Sequence, residues 1–185
     1  MSEPIEIIDP EGEKLKKKKT KFLLFSILLS FALFSFPVIK DFQAKWSTLQ
    51  AARKLAAFLN QLKTQAMIQK KPLEAKFIYP ETIEIYEVSS CGFNPERKKT
   101  HETKLSSFCP SIVFVSENWI RSQGVSNDPV LTKFCYDPLY GSSLLADGIA
   151  HGSIFLSHVQ NHLEHDKNHI VEILVEGSSA NILLK

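Results

Sequence analysis

Residues 22–39 read FLLFSILLSFALFSFPVI, eighteen positions without a charge. At 1.5 Å per residue, a helix of that length reaches roughly 27 Å, close to the hydrocarbon thickness of a bilayer. Six lysines precede the run (Lys14, Lys16, Lys17, Lys18, Lys19 and Lys21), whereas only Lys40 and Lys45 follow it closely. The bias predicts a single-pass anchor with the N-terminus inside and the remainder extracytoplasmic. A secretory signal cleaved after the run is the competing reading, because a basic region before an apolar core is also its signature. The flanks favour the anchor: no Ala-x-Ala closes the run, and Pro37 and Val38 stand where small residues are needed.

The rest of the chain divides around this run. Residues 1–13, MSEPIEIIDPEGE, hold two prolines and five acids and are expected to be a disordered cytoplasmic tail. The expected organisation is a basic tail at 1–21, a transmembrane helix at 22–39 and one exported α+β domain at 40–185. Net charge is only +2 and the cations cluster beside the apolar run, so a nucleic-acid surface has little support. The lysine block suits topology and anionic lipid headgroups, making the bilayer the first expected partner.

From Asp41 to Gln69 the apolar positions Phe42, Trp46, Leu49, Ala52, Ala56, Leu59, Leu62 and Ala66 recur at steps of three and four. This predicts an amphipathic helix, with Trp46, Leu49, Ala56, Leu59 and Leu62 holding it to a sheet. Trp46 also suits an interfacial anchor, since it lies seven residues past Ile39. Arg53 and Lys54 are read as a solvated helix face. Lys70, Lys71 and Pro72 end the helix.

The period then changes to two. Leu73 to Tyr79 and Ile83 to Val88 predict adjacent antiparallel strands. Residues 90–107 read as a long polar loop. Ser111 to Val115 and Val130 to Tyr136 are short strand candidates among turns. Ser153 to Val159, Ile170 to Val175 and Ala180 to Leu184 predict a three-strand meander. In an oxidising compartment two of Cys91, Cys109 and Cys135 can pair; the first two bracket the polar loop and are the expected disulfide.

Motifs for chemistry are sparse. His158, His162, His165 and His169 follow steps of four, three and four, which would align four imidazoles on a helix as a metal site. Within a hairpin loop the same spacing means nothing, and no metal or cofactor is assigned. No Gly-x-Ser-x-Gly elbow, His-Glu-x-x-His or phosphate loop occurs, so no catalytic residue is nominated and the expected role is not enzymatic.

A basic leader, a membrane helix running on into an amphipathic helix, and an antiparallel sheet from the rest resemble the plan of type IV pilins and pseudopilins. Leu55 to Phe77, LAAFLNQLKTQAMIQKKPLEAKF, resembles the family's helix end, basic turn, proline and first strand, with Ala66, Lys71 and Pro72 matching and Leu62-Lys63 where Ala-Arg is usual. Gly148 to Leu156, GIAHGSIFL, is similar to its glycine-rich turn before a strand. Within the superfamily the likeness is to the H-type minor pseudopilin of type II secretion and related minor pilins. The resemblance implies a pilin-like fold and a subunit that acts by assembly with other pilin-like or secretion-machine subunits in the inner membrane, its domain periplasmic. Phe22, Phe25, Ser26, Ser30 and Pro37 would carry anchoring and lateral packing. One departure stands out: Lys21 occupies the usual Gly of the cleavage site before Phe22, and Ser26 the usual Glu. That Glu normally pairs with a neighbour's freed amino terminus, a charge pair costly to bury unless matched. Loss of both implies a permanently anchored subunit. The rival expectation is a stand-alone anchored binding module, metal-responsive through the histidine segment.

Overall fold

The computed structural model describes residues 10–92, 95–139, 141–142, 151–163, 169–176 and 182–184, with side chains described except at 10–20, 31–35, 37 and 142. The chain divides into two compact units, Met1–Phe42 and Gln43–Lys185.

The first unit is helical. Helix α1, Pro10–Gln69, begins within the stretch expected to be disordered; residues 1–9 of that stretch lie outside the described residues. Proline suits a helix start because its missing N–H is unneeded there. Every described side chain from Phe22 to Ser30 is exposed, as are Phe36, Val38, Ile39 and Phe42.

The second unit contains the remainder of α1 and two antiparallel sheets. The first sheet has the order β3-β2-β1-β5-β6, built from β1 (Leu73–Ile78), β2 (Thr82–Val88), β3 (Arg97–Lys104), β5 (Lys133–Asp137) and β6 (Gly141–Ser142). The second has the order β4-β7-β8-β9, from β4 (Ile112–Phe114), β7 (His151–His158), β8 (Val171–Glu176) and β9 (Ile182–Leu184). Short helices α2 (Leu105–Phe108), α3 (Glu117–Gln123) and α4 (Val159–Leu163) connect them. The expected β1–β2 hairpin and the β7–β8–β9 meander are both present. One sheet was expected; two form, and the chain changes sheets after β3, after β4 and after β6.

The change after β4 is visible in the hydrogen bonds. Val130 bridges Ser153 in parallel on the β4 side of β7, along the stretch that β4 does not reach, with Leu131 N donating to Ser153 O and Ser153 N to Pro129 O, both at 2.8 Å. Two residues later Phe77 N of β1 donates to Thr132 O, and the chain enters the first sheet as β5. Gly152 lets this segment lie close. A Cβ there would stand 2.5 Å from Leu131 Cδ2 and 3.1 Å from Pro129 O.

One helix stripe joins the sheets. Ala51, Ala52, Leu55, Leu59, Leu62 and Ala66 cluster with Leu73, Ala75, Phe77, Ile83, Ile85 and Phe134 of the first sheet, and with Ile112, Phe114, Ile154, Leu156, Ile173 and Val175 of the second. The steps of three and four keep these positions on one side of α1 while the strands contribute alternate residues. A smaller cluster of Val115, Ile120 and Phe155, with Trp119 packed on it, places α3 against β7. The helix ends at Gln69: Lys70 turns left-handed (φ 53°) and Lys71 N reaches back to Ala66 O at 3.2 Å.

Residues 97–107 of the expected loop are regular structure. Arg97–Lys104 forms β3 on the outer side of β2, and Leu105–Phe108 turns as α2. The disulfide changes with it. Cys91 pairs with Cys135, Cα atoms 5.8 Å apart, and Cys109 is free. The register gives the reason. Val88 pairs Arg97 at one end of the β2–β3 ladder and Thr82 pairs Lys104 at the other, so β3 carries Cys109 roughly 20 Å away, beyond disulfide reach. β5 lies on the far side of β1 with Cys135 opposite Glu74, at the end where Leu73 pairs Glu87 of β2.

Two measurements check this arrangement. Leu59, fully buried, should cost about 2–5 kcal/mol when truncated to alanine, read from denaturant unfolding. Non-reducing peptide mapping should link the Cys91 and Cys135 fragments and find Cys109 alkylated. The Cys109→Ser variant should keep its stability, while Cys135→Ser should lose about 2–5 kcal/mol.

Candidate assembly surfaces

In the first unit Phe22 is 74% exposed and Phe25 64%, and Ser26 and Ser30 lie in the same exposed stretch. Pro37 carries no described side chain. Among the described residues, no helix is long and apolar enough to cross a membrane; positions 31–35 and 37 of the apolar run fall outside that description. What the structure gives is a helix that presents large apolar groups outward along this stretch, a surface that needs lipid or protein to cover it.

Within the second unit, Leu59 and Leu62 are buried as expected, Leu49 is half-buried against the core, and Ala56 is half-buried outside it. Trp46 is corrected. It is 52% exposed, and the stripe at this level runs through Ala44 and Thr48. The large ring and the buried side differ by half a turn: Ala44 and Thr48 are the buried positions, and Thr48 Oγ1 donates to Ala44 O at 2.9 Å. The expected place of Trp46 in the buried stripe is thereby overturned. Lys54 is not simply solvated, since its ammonium donates to Phe108 O at the end of α2, where helix carbonyls lack partners.

The face of the first sheet that carries Glu74 holds a network that pattern reading missed. Glu74 of β1 stands opposite Tyr86 and Cys135 in the register and is 3% exposed. Arg97 reaches it from two strands away, Nε to Oε1 at 3.1 Å, so the buried carboxylate is paired. Glu84 of β2 and Glu102 of β3 face each other across the ladder, a like-charge pair that costs stability alone. Lys99 sits between them and donates to both at 2.6 Å, while Tyr86 donates to Glu84 at 2.7 Å. The Lys99 hydrogen bond, then that from Tyr86, holds the Glu84 carboxyl below its ordinary range. The same contacts, Glu102 first, push the Lys99 ammonium up. Lys71–Glu87 and Lys104–Glu81 complete the pairs at the margins of the sheet. No period of two marks β3 because it has no buried face: all its residues but Thr103 are exposed.

The histidines do not share a helix. His158 ends β7, where its Nδ1 accepts from Gln160 N at 3.3 Å and burial pushes its pKa down. His162 belongs to α4, which spans only Val159–Leu163; its Nε2 lies 3.2 Å from Tyr79 Oη, and its ring lies 5.7 Å from that of Trp119. His169 precedes β8, and His165 lies outside the described residues. Among the described residues, no group of three or more histidines, cysteines and acids is placed to hold a metal. Tyr79, Trp119 and His162 form an aromatic cluster whose members are too far apart in sequence to be foreseen together.

No family model matches the chain, and no curated protein matches it. Among solved structures, similarity is to two crystal forms of the type IV minor pilin FimU of Pseudomonas aeruginosa. For one the TM-score is 0.47 at 7% identity, covering 75% of this chain and 87% of that one. For the other it is 0.45 at 7% identity, covering 73% and 90%.

The charged face gives a pH test. Because the folded Glu84 pKa is depressed, its contribution is present above the unfolded value near 4.5 and is lost as pH falls through the lower folded value. Lys99→Met should therefore be less stable than the parent at pH 7, where Glu84 and Glu102 are left facing each other. The gap in thermal midpoint should shrink as pH drops below 4.5; an unchanged gap at pH 3 would contradict it.

Proposed function

We propose that this chain is a minor pseudopilin-like subunit of a type II secretion or type IV pilus machine, held in the inner membrane by residues 22–39 and working by assembly. The observation that carries the reading is helix Pro10–Gln69, whose described apolar side chains at 22–30, 36, 38, 39 and 42 are exposed, while those from Ala51 to Ala66 cluster with two sheets. An exposed apolar stretch next to a lysine block suits a bilayer and neighbouring apolar helices, with the domain on the extracytoplasmic side. The disulfide Cys91–Cys135 suits an oxidising compartment. Lys21 and Ser26 at the positions of the leader Gly and Glu support a subunit that keeps its leader. The sequence plan shared with pilins supports the same assembly.

In this reading Phe25, Ser26 and Ser30 pack against neighbouring spans, and Phe42 and Trp46 occupy the level where aromatic groups prefer the membrane–water boundary. The domain's charged sheet face and loops choose the neighbours. The alternative is an anchored module that binds a metal through His158, His162, His165 and His169.

The test is photo-crosslinking in the native host, with the reactive group at Phe25, Ser30 or Trp46. Adducts with pilin-like membrane subunits are the expected result. Lipid adducts alone, together with a thermal midpoint raised by added zinc and not by magnesium, would favour the module instead.

A further inference from the structure

α1 covers only part of the first sheet. A helix is roughly 10–12 Å across and strands lie about 4.8 Å apart, so one helix covers little more than two of them. β1, β2 and β5 supply the side chains that pack on the stripe, and among the described residues β3 supplies none. The overhang of β3 leaves a groove of about 440 Å³ between the last turns of α1 and the outer strands. Its apolar lining is the buried Leu62, Leu73 and Ile85 with the half-buried Phe58. The rest is polar: the amides of Gln61, Gln65 and Gln69 on α1, Glu87 on β2, and Thr100 and His101 on β3.

The polar groups are ordered. The glutamines follow at four-residue steps, about 6 Å apart along the axis, so the three amides form one row roughly 12 Å long. His101 stands opposite Ile85 in the ladder, and directly facing residues share one side of a sheet, so the imidazole lies on the helix side that Ile85 marks. Thr100, at the register slip, donates its hydroxyl proton to Ile85 O at 3.2 Å and keeps its lone pairs for an incoming donor. Glu87 is the charged member of the lining, and Lys71 is already paired with it.

We propose that this groove is a binding site for a neutral sugar, a mono- or disaccharide unit lying along α1 against the glutamine row. The other ligand classes fit it worse. An anion meets Glu87 and finds Lys71 already taken, and a cation has to displace Lys71. An apolar ligand strips water from the amides, hydroxyl and imidazole and gives them no hydrogen bond in return. An extended peptide binds chiefly through its main chain, and here the backbone of α1, β2 and β3 is bonded within the helix and the sheet, so the groove offers side chains only. A sugar ring matches what remains. Its C–H faces suit the leucines, Ile85 and the Phe58 ring, and its adjacent hydroxyls, each donor and acceptor, suit amides that are both. The volume of about 440 Å³ lies within the roughly 300–1,000 Å³ usual for small-molecule sites. The site belongs to the second unit alone and needs neither an anchor nor pilin-like partners.

The experiment uses the full chain in micelles of a detergent without a sugar headgroup, with saturation-transfer NMR as the readout. The probes are cellobiose, the disaccharide of N-acetylglucosamine, cellobiouronic acid, and a blocked peptide alternating glutamine with serine. At least one neutral disaccharide should bind saturably in the millimolar range, and the uronic acid should bind more weakly than cellobiose. Replacing both Gln61 and Gln65 by alanine, at exposed positions, should weaken sugar binding about tenfold and leave the thermal midpoint in place. Thr64→Ala, on the same helix but outside the groove, should change neither. Three results would overturn the proposal: no saturable binding of either neutral disaccharide at about 50 mM, equal binding by the parent and the double glutamine variant, or tighter binding of the peptide than of the sugars.

Discussion

The constraint on which this structure depends is one helix stripe that must satisfy two sheets together. Leu55, Leu59 and Leu62 are essentially removed from solvent, and their neighbours come from β1, β2 and β5 on one side and from β4, β7 and β8 on the other. Neither sheet has a helix of comparable length of its own among the described residues. Fully burying each leucine is worth about 1.5–3 kcal/mol, so the stripe is a leading contribution to a domain whose net stability is only on the order of 5–15 kcal/mol. Ala51, Ala52 and Ala66 belong to the same stripe, while Trp46 lies outside it.

The other features follow from holding two sheets on one helix. Residues 129–137 cross from one sheet to the other, and Gly152 leaves room for the crossing. The Cys91–Cys135 bond ties the turn after β2 to β5 across the central strand β1, and the Glu74–Arg97 pair fastens β3 to that strand. Since α1 and the inner strands supply the hydrophobic stabilisation, β3 needs no buried face. Its residues are available for charge pairing on one side and for an open edge on the other.

Much of this was legible in the residues, and the failures have physical causes. The α1 periodicity, the β1–β2 hairpin and the closing meander each bury one face, and a buried face leaves a period in the sequence. RKKTHETK buries neither face, so it carries no apolar alternation and reads as loop; the expected Cys91–Cys109 bond gives way to Cys91–Cys135 for the same reason, because spacing between cysteines says nothing of where a strand without a period carries the second one. Trp46 kept register with Phe42 and Leu49, but periodicity cannot tell a stripe packed on a sheet from one turned toward lipid or a neighbouring helix. The pairs Glu84–Lys99–Glu102 and Tyr79–His162 join distant or unpatterned positions and become visible only with the strand register.

In the proposed function the apolar helix is retained and anchors a domain built on the same helix. The most direct test is the mass and membrane partition of the protein from its own host. The expected product is the intact chain of 185 residues, extracted from membranes by detergent and resistant to carbonate. A product beginning at Phe22 would mean that the leader is cut despite Lys21. A soluble product beginning near residue 40 would contradict the anchor outright.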